Sequence, residues 1–401
     1  MPERLVLSGP RLSDGRTVDV RLSGGRVEAV GTPGSLSTPD GDGGSRLDLT
    51  GYLLLPAPAE PHAHHDTALT GARTVAAPPP DTPRDLRRRV TEAVLAQLGH
   101  GATAQRSHVR VGDARGLTAL EAALDVRRAL RGLADLATVA APRLLTGLAG
   151  ADNRAQLHDA AKMGADALGG CPDVDPDPAG YLDIVLGLAG DHGRAVDLHT
   201  EGDDPVRLAR LASAAAAHRP GVTIGPCTGL SLLPPAAAAR AADRLAAAGI
   251  TVVCLPQGPC ALSPGHRPGR ITPVRLLTTA GVRVAAGGGA LRDAANPVGR
   301  GDPLEAAFLL ASRGECGAPD AYAAVSGRAR AALALPEVRI DAGFPAELLA
   351  VRGETIAEAL SLAYSRLVIH RGRIVARTSA VREYGDPPPS NGLGLPRQAT
   401  G

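Results

Sequence analysis

Eight short apolar segments recur through the middle of the chain, with helical stretches between nearly all of them. They are Leu53–Ala59, Ala102–Val109, Leu136–Ala141, Ala165–Gly170, Ala195–His199, Val222–Cys227, Ile250–Leu255 and Val282–Ala286. The intervening stretches include Pro83–Leu98, Leu117–Arg131, Asp204–Ala217 and Pro235–Ala248. A strand that must run parallel to its predecessor needs a crossover, and a helix is the usual one. Eight such units over about 280 residues match the size of a (β/α)8 TIM barrel. A doubly wound open sheet is the alternative, and no G-x-G-x-x-G follows the first segment to support it.

The two ends of the chain have a different texture. Arg4–Leu7, Thr17–Ser23, Arg26–Val30 and Leu47–Leu49 read as short strands, with Gly24-Gly25 as a hairpin turn. Similar strands return at Ala346–Val351 and Leu367–Ala376, turning at Arg371-Gly372-Arg373. The expected organisation is a small β domain from residues 1–55 plus 345–378, a barrel from 56–344, and a disordered tail over 379–401, which is Pro/Gly-rich and polar.

Composition narrows the class of partner. The formal net charge is +2 and aromatics make up 2% of the 401 residues, with no Trp. That balance offers neither a basic field nor stacking platforms for nucleic acid. No run of about 18 apolar residues suggests a membrane span. The five cysteines form no C-x-x-C pair, which argues against a disulfide framework or a four-cysteine zinc site and fits a reducing, cytoplasmic setting. No signal peptide is visible at the start. The expected partner is a small-molecule substrate, and self-association into a homo-oligomer stays open.

The chemistry concentrates at Glu60-Pro61-His62-Ala63-His64-His65-Asp66. Two histidines at i and i+2 on extended backbone face the same side, and neutral imidazoles are common ligands of zinc and iron. His199 closes the fifth apolar segment. In a barrel the strand C-termini form one rim, so His62, His64 and His199 would converge there as a metal site. His108, near the end of the second segment, would face the barrel mouth and orient a ligand or support the metal shell. Cys227 and Cys254 end strands, where a cysteine acts as a small hydrophobe. Gly287-Gly288-Gly289 lacks the lysine and spacing of a phosphate-binding loop and reads as a flexible loop. Ala76–Pro80, with three prolines, reads as a rigid lid or linker.

The ordered set Pro56–Asp66, Arg106–Val109, Gly169-Gly170-Cys171-Pro172, Asp197–Thr200 and Asn296–Glu305 resembles the amidohydrolase superfamily, in its cytosine deaminase-like branch. The resemblance implies a (β/α)8 barrel with a small β domain built from both termini. It also implies one divalent metal, Zn or Fe, and hydrolysis or deamination at C–N bonds of small cyclic amidines or amides. His62, His64 and His199 match the family's histidine ligands, and His108 and Cys171 fall where substrate would bind. A strand-five glutamate, a strand-six histidine and a strand-eight aspartate complete the family's pattern. Here Glu201 lies one position early for the glutamate, with Asp203 as a rival. Gly225-Pro226 replaces the strand-six histidine, and the aspartate's place falls on Gly289. Asp66 and Asp293 are further substitutes for the lost carboxylate, although each of these four carboxylates reads more readily as a loop carboxylate, a cap or a salt bridge. Two functions follow. One is a metal-dependent hydrolase using a non-standard carboxylate. The other is a catalytically impaired pseudo-amidohydrolase kept for ligand binding or assembly.

Overall fold

A computed structural model describes residues 4–36, 44–71, 82–258, 260, 270–362 and 364–380. Most of the expected tail, and Pro78–Pro80, lie outside the described residues. The strands are β1 (Leu5–Arg11), β2 (Thr17–Ser23), β3 (Arg26–Gly31), β4 (Ser45–Asp48), β5 (Tyr52–Pro56), β6 (Ala59–Ala63), β7 (Ala104–Val111), β8 (Asp135–Pro142), β9 (Ala167–Gly170), β10 (Ala195–Thr200), β11 (Val222–Pro226), β12 (Thr251–Cys254), β13 (Arg283–Ala286), β14 (Leu348–Arg352), β15 (Arg366–His370) and β16 (Arg373–Thr378).

They form two sheets. β6 to β13 pair in sequence order and all in parallel. The ring closes where Ala63 bridges Gly289 and the Gly289 N–H donates to the His62 carbonyl at 3.0 Å. This is an eight-stranded α/β barrel with helices outside. The second sheet runs β16-β15-β14-β5-β1-β2-β3, with β4 beside β1, and so joins both ends of the chain.

One boundary differs from the sequence reading. The apolar run Leu53–Ala59 is not the first barrel strand. Its front half is β5, which pairs antiparallel with β14 in the terminal sheet. The barrel begins only at β6, so His62 lies within a barrel strand and His64 just past its end. Pro56 and Pro58 are the reason: each removes a backbone donor, so one ladder cannot run through the segment.

The helices that follow the strands start by one recurring device. Asp177, Asp204 and Asp302 each precede a proline and accept a backbone N–H from the first turn, from Gly180 at 3.0 Å, Val206 at 2.9 Å and Leu304 at 2.9 Å. Thr82 does the same for Pro83–Gly99. The side chain satisfies an orphan donor while proline presets the first helical φ. Alternation then sorts the strand residues. Val196 and Leu198 join the core beneath the helices, whereas Asp197 and His199 face the barrel interior.

Gly169-Gly170 has a packing explanation. A Cβ on Gly169 would lie 1.9 Å from the Asp197 carbonyl oxygen of the neighbouring strand. Gly170 has φ +119°, and a Cβ there would lie 1.8 Å from the Tyr181 hydroxyl and 2.7 Å from the Pro142 oxygen. Tyr181 cannot yield freely, because it is fully buried and donates to Pro142 O at 2.8 Å or Gly169 O at 3.0 Å. Gly170→Ala is expected to cost roughly 2–5 kcal/mol by urea denaturation, from overpacking plus a left-handed φ. Adding Tyr181→Phe relieves the hydroxyl collision alone, so only part of the loss returns.

Candidate metal centre

Three imidazoles meet at one end of the barrel interior. His199 Nε2, from the end of β10, lies 2.9 Å from His62 Nε2 and 3.1 Å from His64 Nε2. All three rings are buried. Burial is the main cause holding them neutral: it lowers His62 well below the ordinary range and brings His64 and His199 to about 3. A neutral imidazole presents the lone pair a metal needs. Ligand bonds of about 2.0–2.1 Å at tetrahedral angles put neighbouring nitrogens about 3.3–3.4 Å apart. The observed separations fall within about 0.5 Å of that, so the three donors fit one divalent cation.

The surroundings are charged as well as buried. His108 lies on β7 deep in the interior, its ring centroid 4.1 Å from that of His62 and 4.5 Å from that of His199. Its Nε2 is 3.4 Å from Asp197 Oδ2, and the Arg106 guanidinium is 2.9 Å from the same oxygen. Burial pushes Asp197 up, and Arg106 pulls against that. Arg106 and Asp197 thus form a buried ion pair beneath the histidines, with Arg106 also donating to the Pro61 carbonyl at 3.3 Å.

Glu60 is the interior residue whose role the sequence reading missed. It is fully buried, and its Oε1 accepts from the His62 N–H at 3.0 Å while Oε2 accepts from Gly288 N–H at 2.8 Å. Burial pushes the carboxyl up to about 8. The triglycine is therefore not a flexible loop. A Cβ on Gly287 would come 2.3 Å from Glu60 Oε1, and one on Gly288 would come 3.1 Å from Oε2. The glycines form a cradle for a carboxyl reaching across from β6. The available signal was position: Glu60 lies two residues before His62, on the same face of its strand.

The proposed substitute carboxylates are scattered. Asp66 is buried and ion-paired to Arg110 Nε at 2.7 Å. Asp293 accepts from Thr67 Oγ1 at 3.1 Å and from the N–H groups of Ala295 and Asn296, as a loop-capping residue does. Asp203 is exposed. Glu201 is half-buried beyond the end of β10, where its carboxylate accepts from the Thr228 hydroxyl in the helical turn after β11. Cys171 is buried just past β9, and burial pushes its thiol up to about 12. Cys227 and Cys254 are both buried. At Gly289 a Cβ would meet Leu255 Cδ1 at 3.0 Å, so an apolar side chain occupies the space beside the position of the expected aspartate.

The sequence profile of the amidohydrolase family matches residues 95–376. The chain belongs to the amidohydrolase family. It is 30% identical over 310 residues to a pterin deaminase of Rhizobium rhizogenes, which spans 73% of this chain and 70% of that protein. Its fold is similar to that of N-isopropylammelide isopropylaminohydrolase from Burkholderia multivorans, with TM-score 0.81 and 28% identity over 94% of this chain and 100% of the other. It is also similar to 5-methylcytosine deaminase from Klebsiella pneumoniae liganded with 5-fluorocytosine, with TM-score 0.78 and 25% identity over 97% and 100%. This amidohydrolase is thus deaminase-like in its relatives, and its family usually uses a divalent metal. Among the described residues, no helix is long and apolar enough to cross a membrane.

Proposed function

We propose that this amidohydrolase is a metal-dependent hydrolase of a C–N bond, not a peptide bond, in a small cyclic amidine or amide. The observation that carries the reading is the convergence of His62, His64 and His199 Nε2 atoms within 2.9–3.1 Å steps inside a closed barrel. The similarity to proteins named for the deamination of pterin and 5-methylcytosine supports a nitrogen heterocycle as substrate. A divalent cation held by the three histidines supplies Lewis acidity at neutral pH.

The chain's own groups divide the remaining work. Burial on all sides excludes bulk water from the histidines and strengthens every charge interaction there. The Arg106–Asp197 pair and Glu60 hold the interior faces of β6, β7 and β10 in place beneath them. Of the four carboxylates considered, Glu201 is the best suited to hand a proton to a departing nitrogen. Asp66 and Asp293 are committed to structural partners, and Asp203 faces solvent. Thr228 orients the Glu201 carboxylate from the helical turn that follows β11, the strand that lacks the family's histidine.

A second reading, a ligand-binding protein with little turnover, is favoured by one observation: Leu255 fills the space beside Gly289. Metal analysis followed by ammonia release from a panel of cyclic amidines and amides separates the two. The hydrolase reading expects stoichiometric metal and turnover, with Glu201→Gln lowering kcat by roughly 10²–10⁴-fold. Stoichiometric metal with ligand binding but no ammonia favours the second reading. Sub-stoichiometric metal, with stability unchanged by His62→Ala, sinks the metal site itself.

A further inference from the structure

We propose that Cys260 is a fourth protein ligand of the metal site, its thiolate standing in for the carboxylate that Gly289 does not supply. The inference rests on the reading that His62, His64 and His199 hold a divalent cation. Cys260 is buried on the connection after β12, and its Sγ lies 3.8 Å from His62 Nε2. One donor atom from each of His62, His64, His199 and Cys260 lies within 4.8 Å of all the others.

These separations suit one cation. Zinc–nitrogen and zinc–sulfur bonds of about 2.0–2.1 Å and 2.3 Å place nitrogen and sulfur about 3.1–3.6 Å apart at ligand angles of about 90–110°, a range that leaves a further position for an exchangeable ligand. The observed 3.8 Å needs only a small adjustment. Charge agrees too. Three neutral imidazoles with one thiolate carry the same charge as three imidazoles with one carboxylate.

The connection after β12 replaces the β13 ligand in two ways. Leu255 takes the volume beside Gly289, and Cys260 brings a donor to the histidines. A rival grouping of His62, His108 and Asp197 also brings three donors together. Asp197 is already engaged at 2.9 Å by the Arg106 guanidinium, whose positive charge repels a cation.

X-ray absorption on zinc-loaded full-length protein, with near-ultraviolet absorption of the cobalt-loaded form, tests the assignment. The expected result is one sulfur at about 2.3 Å beside nitrogens at about 2.0–2.1 Å, and a thiolate-to-cobalt charge-transfer band. Cys260→Ser should lose both signatures and weaken metal binding by more than about 100-fold, beyond what loss of a supporting group costs. Cys316→Ser should keep both. If Cys260→Ser does not fold, alkylation mapping of the wild-type protein replaces it. Metal should protect Cys260 and chelation should expose it, and equal labelling in the two states overturns the proposal. One metal bound through nitrogen and oxygen alone overturns Cys260 and leaves the hydrolase reading standing. No metal bound by the wild-type protein overturns both.

Discussion

Replacing His199 with alanine is expected to weaken divalent-metal binding by more than about 100-fold and to abolish the proposed C–N hydrolysis. The expectation follows from its central place in the cluster. His199 Nε2 is the atom that touches both other ligand nitrogens, at 2.9 Å and 3.1 Å, and it alone brings β10 to the site. Loss of a supporting partner around a metal typically costs 10–100-fold in affinity, so loss of a direct donor should exceed that range. Without the cation the site has no Lewis acid, and general acid–base groups cannot make up the difference. Calorimetric titration with zinc and metal analysis of the purified variants measure the affinity. Thermal melts add an independent check, since a ligand bound only by the folded state raises the wild-type melting temperature in proportion to its logarithmic excess over Kd. His199→Ala should show no such rise. His158→Ala is the control, because His158 pairs with His192 at 2.9 Å apart from the site and should leave metal binding intact. Stoichiometric metal in His199→Ala would overturn the assignment.

The largest stability effect is expected at the junction of barrel and terminal sheet. Arg366 on β15 grips Asp302 through two parallel contacts, Nη1 to Oδ1 at 2.8 Å and Nη2 to Oδ2 at 2.7 Å, and also donates to the His100 carbonyl at 2.7 Å. Both side chains are nearly buried, at 5% and 9% exposure, so removing one charge strands the other. Arg366→Met is expected to cost about 3–5 kcal/mol in urea denaturation. Asp302 also caps the helix Pro303–Ser312, and asparagine caps nearly as well. Asp302→Asn in the Arg366→Met background therefore removes the stranded charge while keeping the cap, and most of the loss should return.

The pH dependence of that pair has a definite sign. Burial alone would raise the Asp302 carboxyl, but the Arg366 hydrogen bonds and charge outweigh it and hold the group below its ordinary 3.8. A depressed carboxylate binds fewer protons folded than unfolded. Its contribution is full above the unfolded value and is lost as pH falls through the lower folded one. In Arg366→Met, burial acts on Asp302 without the arginine and raises its carboxyl, so the gap between wild type and variant should begin to narrow above about pH 4 and close further in stronger acid. A gap unchanged down to pH 2 would mean that packing of the arginine stem, not the ion pair, carries the effect.

Local signals made much of this protein legible. Aspartate or threonine before proline marks a helix start by chemistry that needs no distant partner, so several helix starts could be read to within a residue or two. The first barrel strand was misplaced because an apolar run does not say where two prolines divide it between sheets. Glu201 could be nominated from its place after His199. Its partner Thr228 comes from the turn after another strand and could not.

By itself the sequence determined the strand–helix alternation, the terminal sheet, and three histidines carried to strand ends, because each depends on residues within a few positions of one another. Tertiary structure turned the expected convergence of His62, His64 and His199 into nitrogen separations of 2.9 Å and 3.1 Å. It also decided that Gly287 and Gly288 cradle Glu60, that Leu255 fills the side of Gly289, and that Cys260 approaches the histidines. The physical reason is that these contacts join residues up to 228 positions apart. Ring closure brings them together, and no local pattern in the chain encodes a distance across the barrel.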